Sequence, residues 1–340
     1  MHMADALLSP AVGGVMTAAS VCAIGYGVKR IAGDRLDEKK IPMMAVSGAF
    51  VFAAQMINFT IPGTGSSGHI GGGVLLAALL GPFPALLTLA SVLLIQCLFF
   101  SDGGLLAYGC NVFNMGVIAC CLAYTLIYRP IVRKGITKGR LAAASIAASV
   151  IGLEAGAFCV VLETVFSRVA ELPFGAFVLL MQPIHLAIGL VEGLVTAAVL
   201  CYVHQVRPEL LDSSVENTRI ASGVLMHNVI AGFVVLALVS GGLLSIFASA
   251  HPDGLEWSIE KTAGTAGLER EGPVYEAAER AVEAMAFLPG YGLPGEDGGG
   301  AAGTALAGIA GSVITVILAG GAGLAIHAAR RFRAGKAASS

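Results

Sequence analysis

Residues 70–100 read IGGGVLLAALLGPFPALLTLASVLLIQCLFF, a run without one charged side chain. About 20 helical residues cross a hydrocarbon core of ~30 Å, so this run is too long for one simple span. Gly81-Pro82-Phe83-Pro84 interrupts it, and paired prolines end helices. The stretch therefore counts as two crossings with a turn between them. Further apolar runs lie near 8–28, 41–58, 109–128, 141–166, 174–203, 223–250 and 302–328. Composition agrees, with 56% hydrophobic and 12% charged residues in 340, about half the ~25% charge of a soluble domain. That excludes a disordered protein, a nucleic-acid binder with a basic face and an ordinary cytosolic enzyme. The 45 glycines suit closely packed transmembrane helices. The seven cysteines lie in or beside apolar runs and form no CxxC, so they read as small buried hydrophobes.

Charge sets the expected topology. Lys29, Arg30, Arg35, Lys39 and Lys40 follow the first run, and Arg129, Arg133, Lys134, Lys138 and Arg140 follow residue 128. Arg207 and Arg219 follow residue 203, and Arg330, Arg331, Arg333 and Lys336 close the chain. The positive-inside rule places all of these in the cytoplasm. The expectation is an all-α polytopic membrane protein of nine helices, N-terminus outside and C-terminus cytoplasmic, with the Gly81–Pro84 turn facing inward. No positive n-region precedes the first run, so Met1 is expected to be the mature N-terminus. Residues 1–205 hold seven helices, 206–222 form a polar cytoplasmic linker, and 223–340 hold two helices around an external loop, 251–300. That loop carries ten acids against Lys261, Arg270 and Arg280. It either concentrates cations or simply keeps itself soluble.

The N-terminus carries the most distinctive chemistry. His2 is large enough to block removal of Met1. The α-amine, the His2 amide nitrogen and His2 Nδ1 then close a five- and a six-membered chelate ring around one metal. Three nitrogens in a plane suit a tetragonal or square-planar divalent ion such as Ni(II) or Cu(II), and a fourth donor is needed. The Gly-rich loop from Pro62 to Gly73, on the same expected face, contains His69 as its only imidazole. Ser66 and Ser67 are candidates to orient that ring. The bland alternatives are an inert tail and a Gly-rich turn with a solvated histidine. His185 and Glu192 lie seven residues apart and so share one helix face. Intramembrane ionisable groups mark either function or a buried polar pair. Glu154 and Glu163 invite the same question. Gln96, Asn58, Asn111 and Asn114 are candidates to line the mouth.

Met1-His2, followed by Asp5 and Leu8-Ser9-Pro10, resembles the amino-terminus of the CbiM/NikM family, the substrate-binding subunits of energy-coupling factor (ECF) transporters for cobalt and nickel. The Pro62–Gly73 loop and the run from His185 to Thr196 resemble two further family segments. Pro252-Asp253-Gly254-Leu255-Glu256 resembles the motif of the small CbiN/NikN component, here fused C-terminally. The resemblance implies a seven-helix substrate-binding bundle over 1–205 and metal ligation by Met1, His2 and His69; Asp5, Ser66, Ser67, His185 and Glu192 are the candidates for supporting or coupling roles. The family's start runs Met-His-Ile-Pro-Asp-Gly, whereas this chain has Met3-Ala4-Asp5-Ala6. The chelating atoms survive and the stiffening Pro and Gly do not.

No GxxxxGK[ST] loop is present, so ATP hydrolysis needs other subunits. The resemblance implies a CbiQ/NikQ-like transmembrane coupling subunit and a CbiO/NikO-like cytoplasmic ATPase in a prokaryotic cell membrane. Co²⁺ or Ni²⁺ is then the cargo, with no prosthetic group, no nucleic acid and no catalysis by this chain. The competing class is a proton-coupled secondary metal transporter using Glu154, Glu163, His185 and Glu192 as a relay. A membrane metalloenzyme is disfavoured by the lack of HExxH and by a four-nitrogen site with no open in-plane position.

Overall fold

The computed structural model describes residues 1–33, 37–168, 172–220, 226–265, 268, 270–293 and 300–338. Arg35 of the first basic cluster lies outside them. The helices are α1 (Pro10–Gly33), α2 (Lys40–Gln55), α3 (Gly73–Leu80) and α4 (Pro82–Phe100). Then α5 (Tyr108–Asn111), a wide-turned π-helical stretch (Val112–Tyr128) and α6 (Arg129–Val132) run on as one rod. They are followed by α7 (Lys138–Ser167), α8 (Phe174–Val206), α9 (Pro208–Glu216), α10 (His227–Gly242), α11 (Gly254–Ala263), α12 (Pro273–Glu283) and α13 (Ala301–Ala338). Among the described residues, seven helices are long and apolar enough to cross a membrane: α1, α4, the rod, α7, α8, α10 with its extension to Phe247, and α13.

The two crossings expected in 70–100 are unequal. Gly81 breaks the helix at φ 90° and Pro82 opens α4, a position where the missing N–H costs nothing. The eight residues of α3 rise ~1.5 Å each, about 12 Å in all, less than half a bilayer core. Every one of them is buried. The helix is an inner half-helix enclosed by α4, the rod, α7 and α9.

Between α2 and α3 the chain forms a small hairpin. Strand β1 (Phe59–Ile61) pairs antiparallel with β2 (Ser66–Gly68), with Thr60 opposite Ser67. The Gly-rich composition is required here. A Cβ on Gly68 would lie 2.4 Å from Ile188 Cγ1, so only glycine lets the hairpin close onto α8.

The C-terminal part wraps the first. Helices α10 and α13 pack on α2. Residues 206–222, read as a linker, contain α9. Leu210, Leu211 and Val215 are buried, and Ser214 Oγ donates to Leu79 O at 2.6 Å at the end of α3. The acids Glu209, Asp212 and Glu216 dominate the composition and hide this apolar face from a linear reading.

Candidate metal centre

The N-terminal strap is held by side chains that replace a missing strand partner. Asn111 Oδ1 accepts from Met3 N at 2.8 Å, and Asn111 Nδ2 donates to Met3 O at 3.2 Å. Gly104 N donates to the same carbonyl. Asp5 Oδ1 accepts from Ala107 N at 2.9 Å. Burial pushes the Asp5 carboxyl up, against the pull of the backbone amides of Leu105 to Ala107. Asp5 therefore anchors the strap rather than facing the metal donors. Met3 is fully buried, its sulfur 3.8 Å from Asn114 Nδ2.

This anchoring brings three nitrogen-bearing groups together. Met1 N lies 3.3 Å from His69 Nε2. The His2 and His69 rings stack with centroids 5.1 Å apart. His69 Nδ1 faces Ile70 O at 3.1 Å. A carbonyl only accepts, so Nδ1 carries the proton and Nε2 presents its lone pair to Met1. His2 Nε2 faces Gln96 Oε1 at 3.1 Å, and His2 Nδ1 lies 3.3 Å from Asp102 Oδ1. Among the described residues, the His2 amide donates no hydrogen bond.

The electrostatics favour neutral imidazoles. Burial lowers the His2 ring below its usual 6.5, with the Met1 ammonium adding to this and Asp102 opposing it. Burial also lowers His69, to about 3, helped by the Met1 ammonium and His2. No group of three or more His, Cys, Asp or Glu side chains that could hold a metal occurs among the described residues. Two of the four nitrogens gathered here, the Met1 amine and the His2 amide, belong to the main chain.

The fused segment closes the centre. Met1 N donates to Asp253 Oδ2 at 2.6 Å. The other Asp253 oxygen accepts from Leu255 N and Glu256 N and Glu256 reaches back to Asp253 N, a capping box that starts α11. Burial alone would raise the Asp253 carboxyl, but the Met1 ammonium and the cap amides hold it well below the usual carboxylate range. Ser67 N donates to Pro252 O at 2.8 Å and Ser67 Oγ to His251 O at 2.7 Å. Residues 251–253 thus meet β2 through one parallel bridge, Asp253 to Ser67. Tyr291 Oη donates to Asp102 Oδ2 at 2.5 Å, so a second point of the 251–300 loop touches the acid beside His2.

Several expected residues therefore change role. Ser66 and Ser67 do not orient His69. Ser66 Oγ bonds Thr64 and Ser67 Oγ grips the fused segment, while the ring's Nδ1 faces Ile70 O. His185 and Glu192 share one face of α8 as expected. Glu192 takes the amides of Gly71 at 2.7 Å and Gly72 at 3.1 Å, capping the start of α3 and fixing the loop that carries His69. Glu163 bonds Asn114 Nδ2 at 2.7 Å. Asp102 and Asp253 were not singled out as site residues. Their partners lie 100 and 252 positions away in sequence, and the only available signal was the Asp253 motif itself.

Comparison with known proteins fits this arrangement. Residues 2–210 match the family model described as the cobalt uptake substrate-specific transmembrane region, CbiM, and residues 227–328 match the PDGLE domain. A relative from Archaeoglobus fulgidus, described as a fused nickel transport protein NikMN, is 34% identical over 94% of this chain and 96% of its own. The cobalt transport protein CbiM of Geobacter sulfurreducens is 29% identical over 89% of this chain and 88% of its own. A crystal structure of a truncated transition metal transporter superposes with a TM-score of 0.53 at 32% identity, covering 60% of this chain and 99% of that one. With its amino-terminal part matching the CbiM model and its carboxy-terminal part the PDGLE model, the chain belongs to the CbiM/NikM family of metal-transport membrane proteins, in the fused form that carries a PDGLE domain.

Proposed function

We propose that this chain captures Ni²⁺ or Co²⁺ at the outer face of a prokaryotic cell membrane, as the substrate-binding subunit of an ATP-driven ECF-type importer. The metal is held by the Met1 amine, the His2 amide nitrogen and Nδ1, and His69 Nε2. The observation that carries this is the 3.3 Å approach of Met1 N to His69 Nε2, both buried beside the His2 ring. Two neutral imidazoles and an amide without a hydrogen-bond acceptor are ready to ligate once the amine and amide lose their protons. A planar four-nitrogen set suits a small divalent ion with a square preference. His2 Nδ1 turns from Asp102 to the metal, and Nε2 keeps its bond to Gln96, which fixes the ring. The domain division is 1–205 for capture, 206–222 as connection and 223–340 as the closing segment. The N-terminus is outside, the C-terminus inside, and α2 and α3 complete nine apolar segments. The relatives are described as nickel and cobalt transport proteins, and the chain contains no nucleotide-binding loop of its own. Energy therefore comes from a transmembrane coupling subunit and an ATPase of the CbiQ/NikQ and CbiO/NikO kinds.

The test is metal content of the purified chain after incubation with Ni²⁺ or Co²⁺. Wild type is compared with His2→Ala, His69→Ala and a variant with one Ser inserted after Met1. Near one metal per chain in wild type, lost in both alanine variants and reduced by the insertion, is expected. Equal content in all four overturns the chelate. In cells, accumulation is expected to stop when the partner ATPase loses its P-loop lysine and to persist under a protonophore while ATP is maintained. The reverse result makes the chain a proton-coupled carrier.

A further inference from the structure

Behind the Met1–His69 pair lies a cavity of about 10 Å³, lined by Met1, His69, His185 and Gly254 among others, about the room one water needs. His185 is fully buried on α8. Its Nδ1 faces Met181 O at 2.7 Å, so Nδ1 carries the proton. Its Nε2 is buried and has no hydrogen-bond partner. His69 is wired in a similar way, with Nδ1 on a main-chain carbonyl and the lone pair of Nε2 turned to the Met1 amine. That is the usual preparation of a metal-binding imidazole, whose far nitrogen is fixed by a carbonyl or carboxylate. The fused segment holds the second ring in place, since a Cβ on Gly254 would lie 3.2 Å from His185 Cε1.

The path continues inward. A second cavity of the same size shares Gly71, Met115 and Leu153 with the first. It is lined by Asn114, Ser149 and Glu192. Asn114 Oδ1 and Ser149 Oγ are buried there without partners. The unpaired atoms along this line are oxygen and nitrogen atoms with lone pairs to offer, and buried polar atoms left unpaired call for an explanation. Acceptors in series are what a cation needs and what a purely structural polar pair does not leave.

We propose that His185 is a further metal ligand, whose Nε2 receives the divalent ion from the outer chelate as the first station of its inward path. Asn114 Oδ1 and Ser149 Oγ offer the next oxygens. This rests on the outer chelate as the starting point, so the experiment separates the two. The full-length chain is made as wild type, His185→Leu, His185→Cys and His69→Ala, with its partner subunits present for the cell assay. Ni²⁺ bound per purified chain and Ni²⁺ accumulated by cells are both measured. His185→Leu is expected to bind one metal as wild type does and to lose at least tenfold in accumulation. His185→Cys restores a ligand and is expected to recover most accumulation, with a thiolate-to-metal charge-transfer band once Ni²⁺ is supplied beyond the one ion of the outer chelate. Wild-type accumulation by His185→Leu overturns the proposal and leaves a structural water as the partner of Nε2. Failure of His185→Leu to bind metal also overturns it, because the ring then supports the outer site. So does a His185→Cys protein with no band and no recovery. If His69→Ala binds metal as wild type does, it is the outer chelate that fails.

Discussion

The Met1 ammonium and the Asp253 carboxylate are 2.6 Å apart, with side chains 4% and 17% exposed. Removing one partner of a buried pair leaves an uncompensated charge, at a cost of about 3–5 kcal/mol. Asp253→Asn is therefore expected to lower the melting temperature of the metal-free protein. On the proposed chelate, loading turns the amine from an ammonium into a ligand, so the loss in the metal-bound protein is expected to be smaller. The melting-temperature gain on adding Ni²⁺ should accordingly be larger in the variant than in wild type, and an equal gain argues that the pair is not disrupted by loading. The histidines give a pH dependence. His69 is held near 3 in the fold against 6.5 in the unfolded chain, and His2 is lowered in the same direction. Above pH 6.5 the rings are neutral in both states. Below it the unfolded chain binds protons that the fold refuses, so metal-free stability falls as pH drops from 6.5 toward 3, by up to ~1.4 kcal/mol per pH unit per ring. Thermal melts at pH 7 and pH 5 check this, and a His2→Phe/His69→Phe variant should be flatter across that window.

The half-helix α3 owes its start to a residue on another helix. The Glu192 carboxylate takes the amides of Gly71 and Gly72 just ahead of its first turn, where the helix dipole also favours negative charge. Glu192→Gln keeps the shape and loses the charge-assisted bonds, worth roughly 1.5–3 kcal/mol. The expected result is unchanged metal per chain at saturation with a Kd raised about tenfold, read by titration. Loss of stoichiometry would instead make Glu192 a ligand. Much at this scale was legible in advance. The long apolar runs declare themselves by composition, and Gly81-Pro82 marks its own break. His2 and His69 stand out as rare residue types at their positions, and the fold brings their rings together. The α9 helix was hidden because three acids outweigh Leu210, Leu211 and Val215 in any linear average. The roles of Ser67, Glu192 and Asp253 were hidden because each depends on a contact more than 100 residues away in sequence. No periodicity encodes such a contact.

The two parts of the whole molecule meet through contacts that need no covalent join. The fused segment bridges to the hairpin edge at Ser67, supplies the counter-ion of Met1 and lays α10 and α13 on α2. It also covers the centre from above. Tyr275 Oη donates to Leu8 O at 2.8 Å, holding the N-terminal strap, and Tyr291 donates to Asp102 beside His2. A chain ending after residue 222 keeps Met1, His2 and His69 but loses Asp253 and exposes the hairpin edge. It is expected to retain its helices by circular dichroism while losing at least tenfold in Ni²⁺ affinity. Supplying residues 223–340 as a separate co-expressed polypeptide should restore most of that affinity, because the recognition is a set of hydrogen bonds, one ion pair and helix packing. Asp253→Ala in the supplied piece should reduce the rescue while the two polypeptides still copurify through α10 and α13. If the shortened chain binds metal as tightly as the full one, the segment acts after capture, and the Asp253 contact belongs to the resting state alone.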